Sequence, residues 1–180
     1  MSVETMALTQ LGMEDLLRWV DLHRLVWQSL QDREALLARR LGQRDAAQTA
    51  QWSQAQVHLV RRAGQIAAIC YSFHRVIALG STQRTVLALA GVSTHPDWRR
   101  QGLGATVVRA AWARVAAPVT VCLFQTDVPA WYERLGARCI DNRIANSIGD
   151  GRAFWSSHAM IFPSAGPWTS DPIDLLGPGW

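Results

Sequence analysis

The chain has 180 residues, of which 49% are hydrophobic and 18% are charged, a composition typical of a folded globular domain. Its formal net charge is +4, and all 18 basic residues are arginine. The lack of lysine excludes a lysine nucleophile, a Schiff base and a phosphate-binding loop that depends on lysine. No run of arginines is longer than two. This pattern predicts positive charge scattered over the surface and no nucleic-acid partner.

Cysteine and histidine spacing predicts neither disulfides nor a metal site. The three cysteines, Cys70, Cys122 and Cys139, are far apart and lie in apolar runs, as expected for buried thiols in a reducing compartment. No stretch is long and apolar enough to cross a bilayer, and the start lacks the pattern of a signal peptide. We therefore expect a cytoplasmic single domain over residues 1–180, with no metal and no membrane partner. A homodimer is compatible with the sequence.

The first third of the chain predicts one strand and two helices. Residues 3–11 alternate loosely, as in a strand. From Met13 the apolar spacing becomes helical and places Met13, Leu16, Leu17, Val20 and Trp27 on one face. A second helix is predicted from Asp32, which can cap it, to a stop at Gly42. Residues 43–55 are polar and fit either a loop or a frayed helix.

The rest of the chain predicts a sheet with two more helices. Residues 57–61, 66–77 and 85–94 form an antiparallel meander with turns at 63–64 and 80–81. A helix with Trp112 in its apolar stripe ends before Pro118, and residues 119–124 are apolar on both faces, as in a central strand. A short helix at 129–135, strands at 137–140 and 154–162, and an extended tail over 162–180 complete the order. The predicted class is α/β (α+β), with a mixed, mostly antiparallel central sheet flanked by helices.

Residues 89–105 carry the strongest chemical signal. A strand runs into a turn with Arg99, Arg100, Gly102 and Gly104, and the turn opens directly into the helix. The start of such a helix is an anion-binding site, because its free N–H groups and the positive end of its dipole attract a negative charge. The glycines let a diphosphate approach the backbone closely. The two arginines add a charge that does not depend on pH.

The spacing Arg99-x-x-Gly102-x-Gly104 resembles the acetyl-CoA motif of the GCN5-related N-acetyltransferase (GNAT) superfamily. Residues 130–136, with the sequence Ala-Trp-Tyr-Glu-Arg-Leu-Gly, are similar to that family's short helix with its tyrosine and Leu-Gly ending. The resemblance implies a sheet that splays around the pantetheine arm of acetyl-CoA. It also implies an acetyltransferase that uses acetyl-CoA.

The resemblance assigns a role to individual residues. It implies that backbone groups of Val92, Ser93 and Thr94 bind the pantetheine arm, and that the Val92 N–H polarises the thioester carbonyl. It further implies that one continuous segment binds the diphosphate: Arg99, Arg100, Gln101, Gly102, Leu103, Gly104 and Ala105. Tyr132 falls where the family has the acid that protonates the CoA thiolate.

A narrower resemblance, to the aminoglycoside 2′-N-acetyltransferase branch, rests on residues 97–99 and on the ending at Trp180. It implies that Asp150, Asp174 and the carboxylate of Trp180 bind the acceptor amine. Two features oppose it: Ala90 stands where that branch has a glutamate, and the segment containing Arg39, Arg40 and Arg44 is basic, whereas an aminoglycoside needs carboxylates.

The sequence thus predicts transfer of an acetyl group from acetyl-CoA to a primary amine of a small molecule, an amino sugar or an aminoglycoside-like compound, by direct attack. Two alternatives stay open. One is a non-catalytic acyl-CoA-binding sensor or structural protein, and the other is an N-acyltransferase for longer acyl chains.

Overall fold

The computed structural model describes residues 2–27, 32–46, 54–148, 153–154, 156 and 158–180. They form two units: unit 1 comprises Met1–Phe73 and Gly91–Ala113, and unit 2 comprises His74–Ala90 and Arg114–Trp180. Two long strands, β3 (Gln65–Leu79) and β4 (Thr82–Thr94), contribute residues to both units. The fold is of the α+β class, with a mixed, mostly antiparallel sheet and flanking helices, as the sequence predicts.

Unit 1 pairs its strands antiparallel and adds three helices. The strands β1 (Glu4–Ala7) and β2 (Gln56–Arg62) pair with each other, and β2 pairs with β3. The predicted hairpin is confirmed, because the turn at Ala63 and Gly64 uses positive φ at both residues. The helices of the unit are α1 (Met13–Trp27), α2 (Arg33–Ala46) and α3 (Leu103–Trp112).

Helix α1 begins at Met13 as predicted, and its buried face agrees with the predicted one in part. Trp19 is fully buried with Leu16 and Val20, whereas the side chains of Met13 and Trp27 are 49% and 45% exposed. The prediction that Trp27 belongs to the core is therefore wrong, and that for Trp112 is confirmed. Periodicity alone admits several apolar stripes on one helix, and only the packing partners select one.

Helix α2 begins as predicted and ends later. The Asp32 carboxylate accepts a hydrogen bond from the Ala35 N–H at 2.6 Å, which confirms the cap. The helix continues through Gly42 to Ala46, so the predicted stop is wrong. An interior glycine costs only about 1 kcal/mol relative to alanine, and buried contacts of Gln43 in the next turn favour continuation. Residues 47–53 of the predicted polar segment lie outside the described residues.

Unit 2 is built on a central strand, as the apolar run at 119–124 predicts. Strand β5 (Cys122–Gln125) pairs parallel with β4 and antiparallel with β8 (Ala159–Phe162). The parallel register joins Leu87 to Cys122 and Ala88 to Leu123 and, among the described pairs, ends there. The remaining elements are α4 (Pro129–Glu133), β6 (Arg138–Ile140), β7 (Ile144–Ala145) and β9 (Ile173–Asp174).

The segment after Pro163 is more than an extended surface tail. Its strand β9 pairs with β3 and β7, and Ile173 and Leu175 are buried. The buried Arg75 of β3 donates two hydrogen bonds to the Leu175 carbonyl, at 3.0 and 3.2 Å. Long-range partners of this kind are not visible in the local sequence.

The prediction that the cysteines are buried is confirmed for two of the three. Cys70 and Cys122 are buried, whereas Cys139 is only half-buried, and all three are free thiols. Burial, with the nearby Glu133 and Asp141, raises the pKa of the Cys139 thiol. Among the helices that the structure describes, none is long and apolar enough to cross a membrane.

Candidate active site

In unit 1, strand β4 leads through a short loop into α3. A turn of 3-10 helix at Pro96–Trp98 follows the strand, and Arg100 and Gly102 then adopt positive φ values of +60° and +78°. Gly102 is the N-cap of α3 and offers no side chain to cap it. A Cβ added at Gly102 would meet no atom within 4 Å. The start of α3 therefore faces open space, and a ligand can approach its backbone closely.

The first turn of α3 presents unused hydrogen-bond donors. The Thr106 N–H and hydroxyl both donate to the Gly102 carbonyl at 3.0 Å. Within the described part of the chain, no acceptor is recorded for the N–H groups of Leu103, Gly104 and Ala105. Such a turn carries the positive end of the helix dipole and binds anions.

The charge around this turn is mainly positive. Arg99 and Arg100 are both exposed, and the Arg99 Nε donates to the Thr94 carbonyl at 3.4 Å. The only acidic residue between positions 89 and 112 is Asp97, whose side chain is 82% exposed. The donor set thus fits a diphosphate such as that of acetyl-CoA, with peptide N–H groups for its oxygens and arginine charge beside them.

The end of β4 contains a second special backbone position. Gly91 has a φ of +61°, and a Cβ there would lie 2.7 Å from the Tyr71 ring and 3.7 Å from that of Trp19. The buried Ser93 hydroxyl donates to the Gly91 carbonyl at 3.3 Å and accepts from the Trp27 indole N–H at 3.1 Å. These contacts hold the backbone of Val92 and Thr94 in place from the side of α1.

The sequence analysis missed a polar cluster in unit 1. It contacts Tyr71, whose ring lies against the position of Gly91. Arg40 and Gln43 on α2 are both buried. The Arg40 guanidinium donates to the Gln43 carbonyl oxygen at 2.7 Å, and the Gln43 amide donates to the Tyr71 hydroxyl at 3.2 Å. A signal existed in the spacing, because Leu36, Arg40 and Gln43 recur at four and three residues and share the buried face of α2.

Tyr132 lies in unit 2 on α4. The side chain is buried, with its ring 4.7 Å from that of Phe124 and 4.6 Å from that of Trp131. The Tyr132 carbonyl accepts the N–H groups of Leu135 and Ala137 and so closes the short helix. Backbone hydrogen bonds thus close the helix that carries the phenol, and two aromatic side chains pack against its ring.

Of the predicted acceptor residues, Asp174 has backbone partners in unit 2. Its Oδ1 accepts hydrogen bonds from the N–H groups of Ser147 and Leu176, both at 3.0 Å. A hydrogen bond from the Ser147 side chain, together with these backbone bonds, lowers the pKa of the carboxyl group. Asp150 lies outside the described residues. Ala90 is buried in β4 and offers no base.

Trp180 is built into unit 2. The indole N–H donates to the Leu123 carbonyl at 3.3 Å, and the Trp180 backbone oxygen accepts from the Gln125 amide at 2.6 Å. Its ring packs edge-on against Phe154 at 5.0 Å. Phe154 in turn lines a cavity of about 330 Å³, with Asp141 among the other lining residues.

Comparison with known families identifies the class of protein. The model of a GNAT acetyltransferase domain matches residues 8–140, a stretch that contains the anion-binding turn and Tyr132. The chain therefore belongs to the GNAT acetyltransferase family. No curated protein matches the sequence.

Solved structures support the fold at low sequence identity. A GNAT acetyltransferase from Brucella melitensis in complex with acetyl-CoA is 14% identical, with a TM-score of 0.56 over 96% of this chain and 94% of that one. An acyl-CoA N-acyltransferase from Pseudomonas aeruginosa is 15% identical, with a TM-score of 0.57 over 89% and 97%. A GCN5-related N-acetyltransferase from Kribbella flavida is 13% identical, with a TM-score of 0.59 over 77% of this chain, which spans only 34% of its length.

Proposed function

We propose that the protein transfers an acetyl group from acetyl-CoA to a primary amine of a small molecule by direct attack on the thioester. The single observation that carries this proposal is the open first turn of α3, capped by Gly102 and flanked by Arg99 and Arg100. Together with family membership, it supports binding of the diphosphate of acetyl-CoA by residues 99–105. Bound acetyl-CoA supplies the activated acyl group.

In this proposal, the residues of the chain position and polarise. Backbone groups of Val92, Ser93 and Thr94 hold the pantetheine arm, and the Val92 N–H donates to the thioester carbonyl as negative charge develops on its oxygen. The amine nitrogen forms the new bond to the carbonyl carbon, and the bond from that carbon to sulfur breaks. Tyr132 gives its phenolic proton to the departing thiolate. Since Ala90 cannot act as a base, the attacking amine loses its proton to water.

The contacts of the predicted acceptor residues bear on the nature of the acceptor. An amino sugar or aminoglycoside-like acceptor depends on carboxylates, and Asp150, Asp174 and the Trp180 carboxylate were predicted to supply them, of which Asp150 lies outside the described residues. Asp174 already accepts two backbone N–H groups, and the Trp180 indole is hydrogen-bonded inside unit 2. These contacts favour structural roles for both residues. They shift the expected acceptor from a polycation to a smaller amine.

The substitution Gly102→Glu tests the assignment of the diphosphate. A glutamate there places a carboxylate in the space where the diphosphate is expected, so acetyl-CoA binding measured by calorimetry should be lost. Gly64→Glu is the matched control, because Gly64 has a φ of +73° and equally open surroundings at the β2–β3 turn of the same unit. It should keep wild-type affinity. Equal affinity in both variants would refute the assignment.

Release of CoA thiol in the presence of a panel of amines tests the transfer itself. Acceptor-dependent release supports the enzyme. Binding of acetyl-CoA without release for any amine favours the non-catalytic sensor. Faster release from a longer acyl-CoA than from acetyl-CoA favours the long-chain N-acyltransferase.

A further inference from the structure

Ser93 on β4 carries a buried hydroxyl with two hydrogen bonds in unit 1. The residue is 1% exposed. The Trp27 indole N–H donates to the hydroxyl oxygen at 3.1 Å, and the hydroxyl donates in turn to the Gly91 carbonyl at 3.3 Å. These directions follow from the chemistry of the groups, since an indole N–H can only donate and a carbonyl oxygen can only accept. A chain of two hydrogen bonds therefore runs from α1 to the backbone of β4.

The Gly91 carbonyl and the Val92 N–H belong to one peptide group. This group is trans and planar, so its C=O and N–H bonds point in opposite directions. A contact that holds the Gly91 oxygen therefore also sets the direction of the Val92 N–H. The proposed function assigns that N–H to the thioester carbonyl.

Regular strand geometry does not by itself set the direction of this peptide group. Gly91 has a φ of +61°, whereas a residue in a regular strand has a φ between about −60° and −160°. The glycine backbone also lies directly against the buried Tyr71 ring, because an added Cβ would come within 2.7 Å of it. Tyr71 thus fixes the position of Gly91, and the Ser93 hydroxyl holds its carbonyl oxygen.

The indole that donates to Ser93 is itself held in place. The Trp27 ring stacks on that of His23, with 6.2 Å between the ring centres. The His23 Nδ1 accepts a hydrogen bond from the buried Arg40 guanidinium at 3.2 Å. Burial, together with the charge of Arg40, lowers the pKa of His23 to about 4, so at neutral pH the ring is uncharged and able to accept. Trp27 is therefore anchored at both its N–H and its ring face.

We propose that Ser93 is a positioning residue for acetyl transfer, because its hydroxyl, acting through the Gly91 carbonyl, orients the Val92 N–H toward the thioester and strengthens it as a donor. This inference rests on the proposed function, which supplies the thioester. Hydrogen bonds in a chain polarise one another, so a bond accepted by the amide oxygen makes the N–H of the same amide a better donor. The donor is then in place before negative charge develops on the thioester oxygen.

Isotope-edited infrared spectroscopy of bound acetyl-CoA tests this role without any turnover. The probe is acetyl-CoA labelled with ¹³C at the thioester carbonyl, whose stretching frequency falls when the oxygen accepts a hydrogen bond. We expect a downshift on binding to the wild type and a smaller downshift on binding to Ser93→Ala. The substitution keeps the backbone groups, so the affinity for acetyl-CoA should stay within about twofold. An equal downshift in both proteins would overturn the inference.

Single-turnover release of CoA thiol, with the amine of the panel that reacts fastest, provides a second measurement. Ser93→Ala should slow this release about tenfold. The effect is smaller than the roughly hundredfold or greater loss caused by removal of a whole oxyanion donor, since the Val92 N–H itself remains. An unchanged rate would overturn the inference.

Ser72→Ala is the matched control. Ser72 is also a fully buried serine in a strand of unit 1, and its hydroxyl is hydrogen-bonded to the His58 Nε2 at 2.9 Å. Both substitutions remove one buried hydroxyl and should lower the free energy of unfolding, but only Ser93→Ala should change the downshift and the rate. The same change in both variants would indicate a general structural effect and overturn the positioning role.

Trp27→Phe tests the start of the hydrogen-bond chain, because it keeps an aromatic ring and removes the indole N–H. It should slow thiol release less than Ser93→Ala does. The double variant should be no slower than Ser93→Ala alone, since the indole acts only through the hydroxyl. Additive effects would overturn the part assigned to Trp27. If Ser93→Ala does not fold, Trp27→Phe carries the infrared test, with a smaller downshift expected and an unchanged one overturning the inference.

The wild-type protein separates this inference from the proposed function. If it binds acetyl-CoA and releases thiol with an amine, while Ser93→Ala behaves identically, the positioning role is refuted and the proposed function stands. If its downshift depends on Ser93 but no amine causes release, acetyl transfer is refuted and Ser93 orients a donor in a protein that only binds acetyl-CoA. Failure of the wild type to bind acetyl-CoA refutes both.

Discussion

Replacement of Gly91 by alanine should destabilise the protein more than the same change at Gly102. Both glycines have left-handed φ values, +61° and +78°, and alanine in that region costs about 1–2 kcal/mol. At Gly91 the new Cβ would also lie 2.7 and 3.1 Å from two carbons of the Tyr71 ring, well inside the optimal separation of about 3.5–4.0 Å. At Gly102 it would meet nothing within 4 Å.

The Tyr71 ring cannot move away at low cost. It is 2% exposed and packs against Trp19 and Phe73, with ring centres 5.3 and 6.0 Å apart. Overpacking of this kind adds about 1–3 kcal/mol, so we expect the free energy of unfolding to fall by about 2–5 kcal/mol in Gly91→Ala. The fall in Gly102→Ala should be about 1–2 kcal/mol. Equilibrium unfolding in urea measures both values, and equal losses would refute the packing argument.

Three further predictions concern single side chains. Tyr132→Phe keeps the ring packing and removes the phenolic proton, so turnover should fall at least about tenfold with unchanged acetyl-CoA affinity; equal turnover would remove Tyr132 from the mechanism. Arg75→Met should lower the free energy of unfolding by about 1.5–3 kcal/mol, since the buried Leu175 carbonyl loses two charged donors, whereas Arg134→Met, a change at an exposed arginine of the same unit, should cost about 0.5 kcal/mol or less. The free energy of unfolding should also fall as the pH decreases, and this fall should be smaller in His23→Gln than in the wild type.

The sign of the pH effect follows from the pKa of His23, which lies near 4 in the folded protein against 6.5 for an ordinary histidine. Between these values the unfolded chain binds a proton and the folded chain does not, so stability falls as the pH decreases through this range. The difference between wild type and His23→Gln, measured by urea unfolding at pH 7.5 and pH 5, should be at most about 2 kcal/mol. A wild type that gains stability on acidification relative to the variant would contradict the placement of His23 beside Arg40.

Elements with strong local signals could be predicted from the sequence. The turn at Gly64, the cap at Asp32 and the glycines of the β4–α3 loop each need a specific backbone conformation, and the residue type reveals it. The central position of β5 follows from its continuous apolar run. The candidate diphosphate site belongs to this group, because one contiguous segment supplies all of its residues.

Features that depend on distant partners could not be predicted. The buried face of α1 was predicted only in part. Leu16 and Val20 are buried as expected, but the prediction missed Trp19, which is buried by contact with Tyr71 and Arg40 far along the chain. The stop at Gly42 was wrong, because the next helical turn is held by Gln43 and its bond to Tyr71. In both cases tertiary contacts outweighed a weak local preference.

The sequence by itself predicted the family, which the family match confirms, and the segment where we propose that a diphosphate binds, since both depend on glycines and arginines at fixed spacing. Only the tertiary structure decided what surrounds the end of β4. It brought Arg40 from α2, Trp19 from α1 and Tyr71 from β3 together around Gly91. The physical reason is that the burial of a side chain depends on contacts between distant parts of the chain, which local spacing does not reveal.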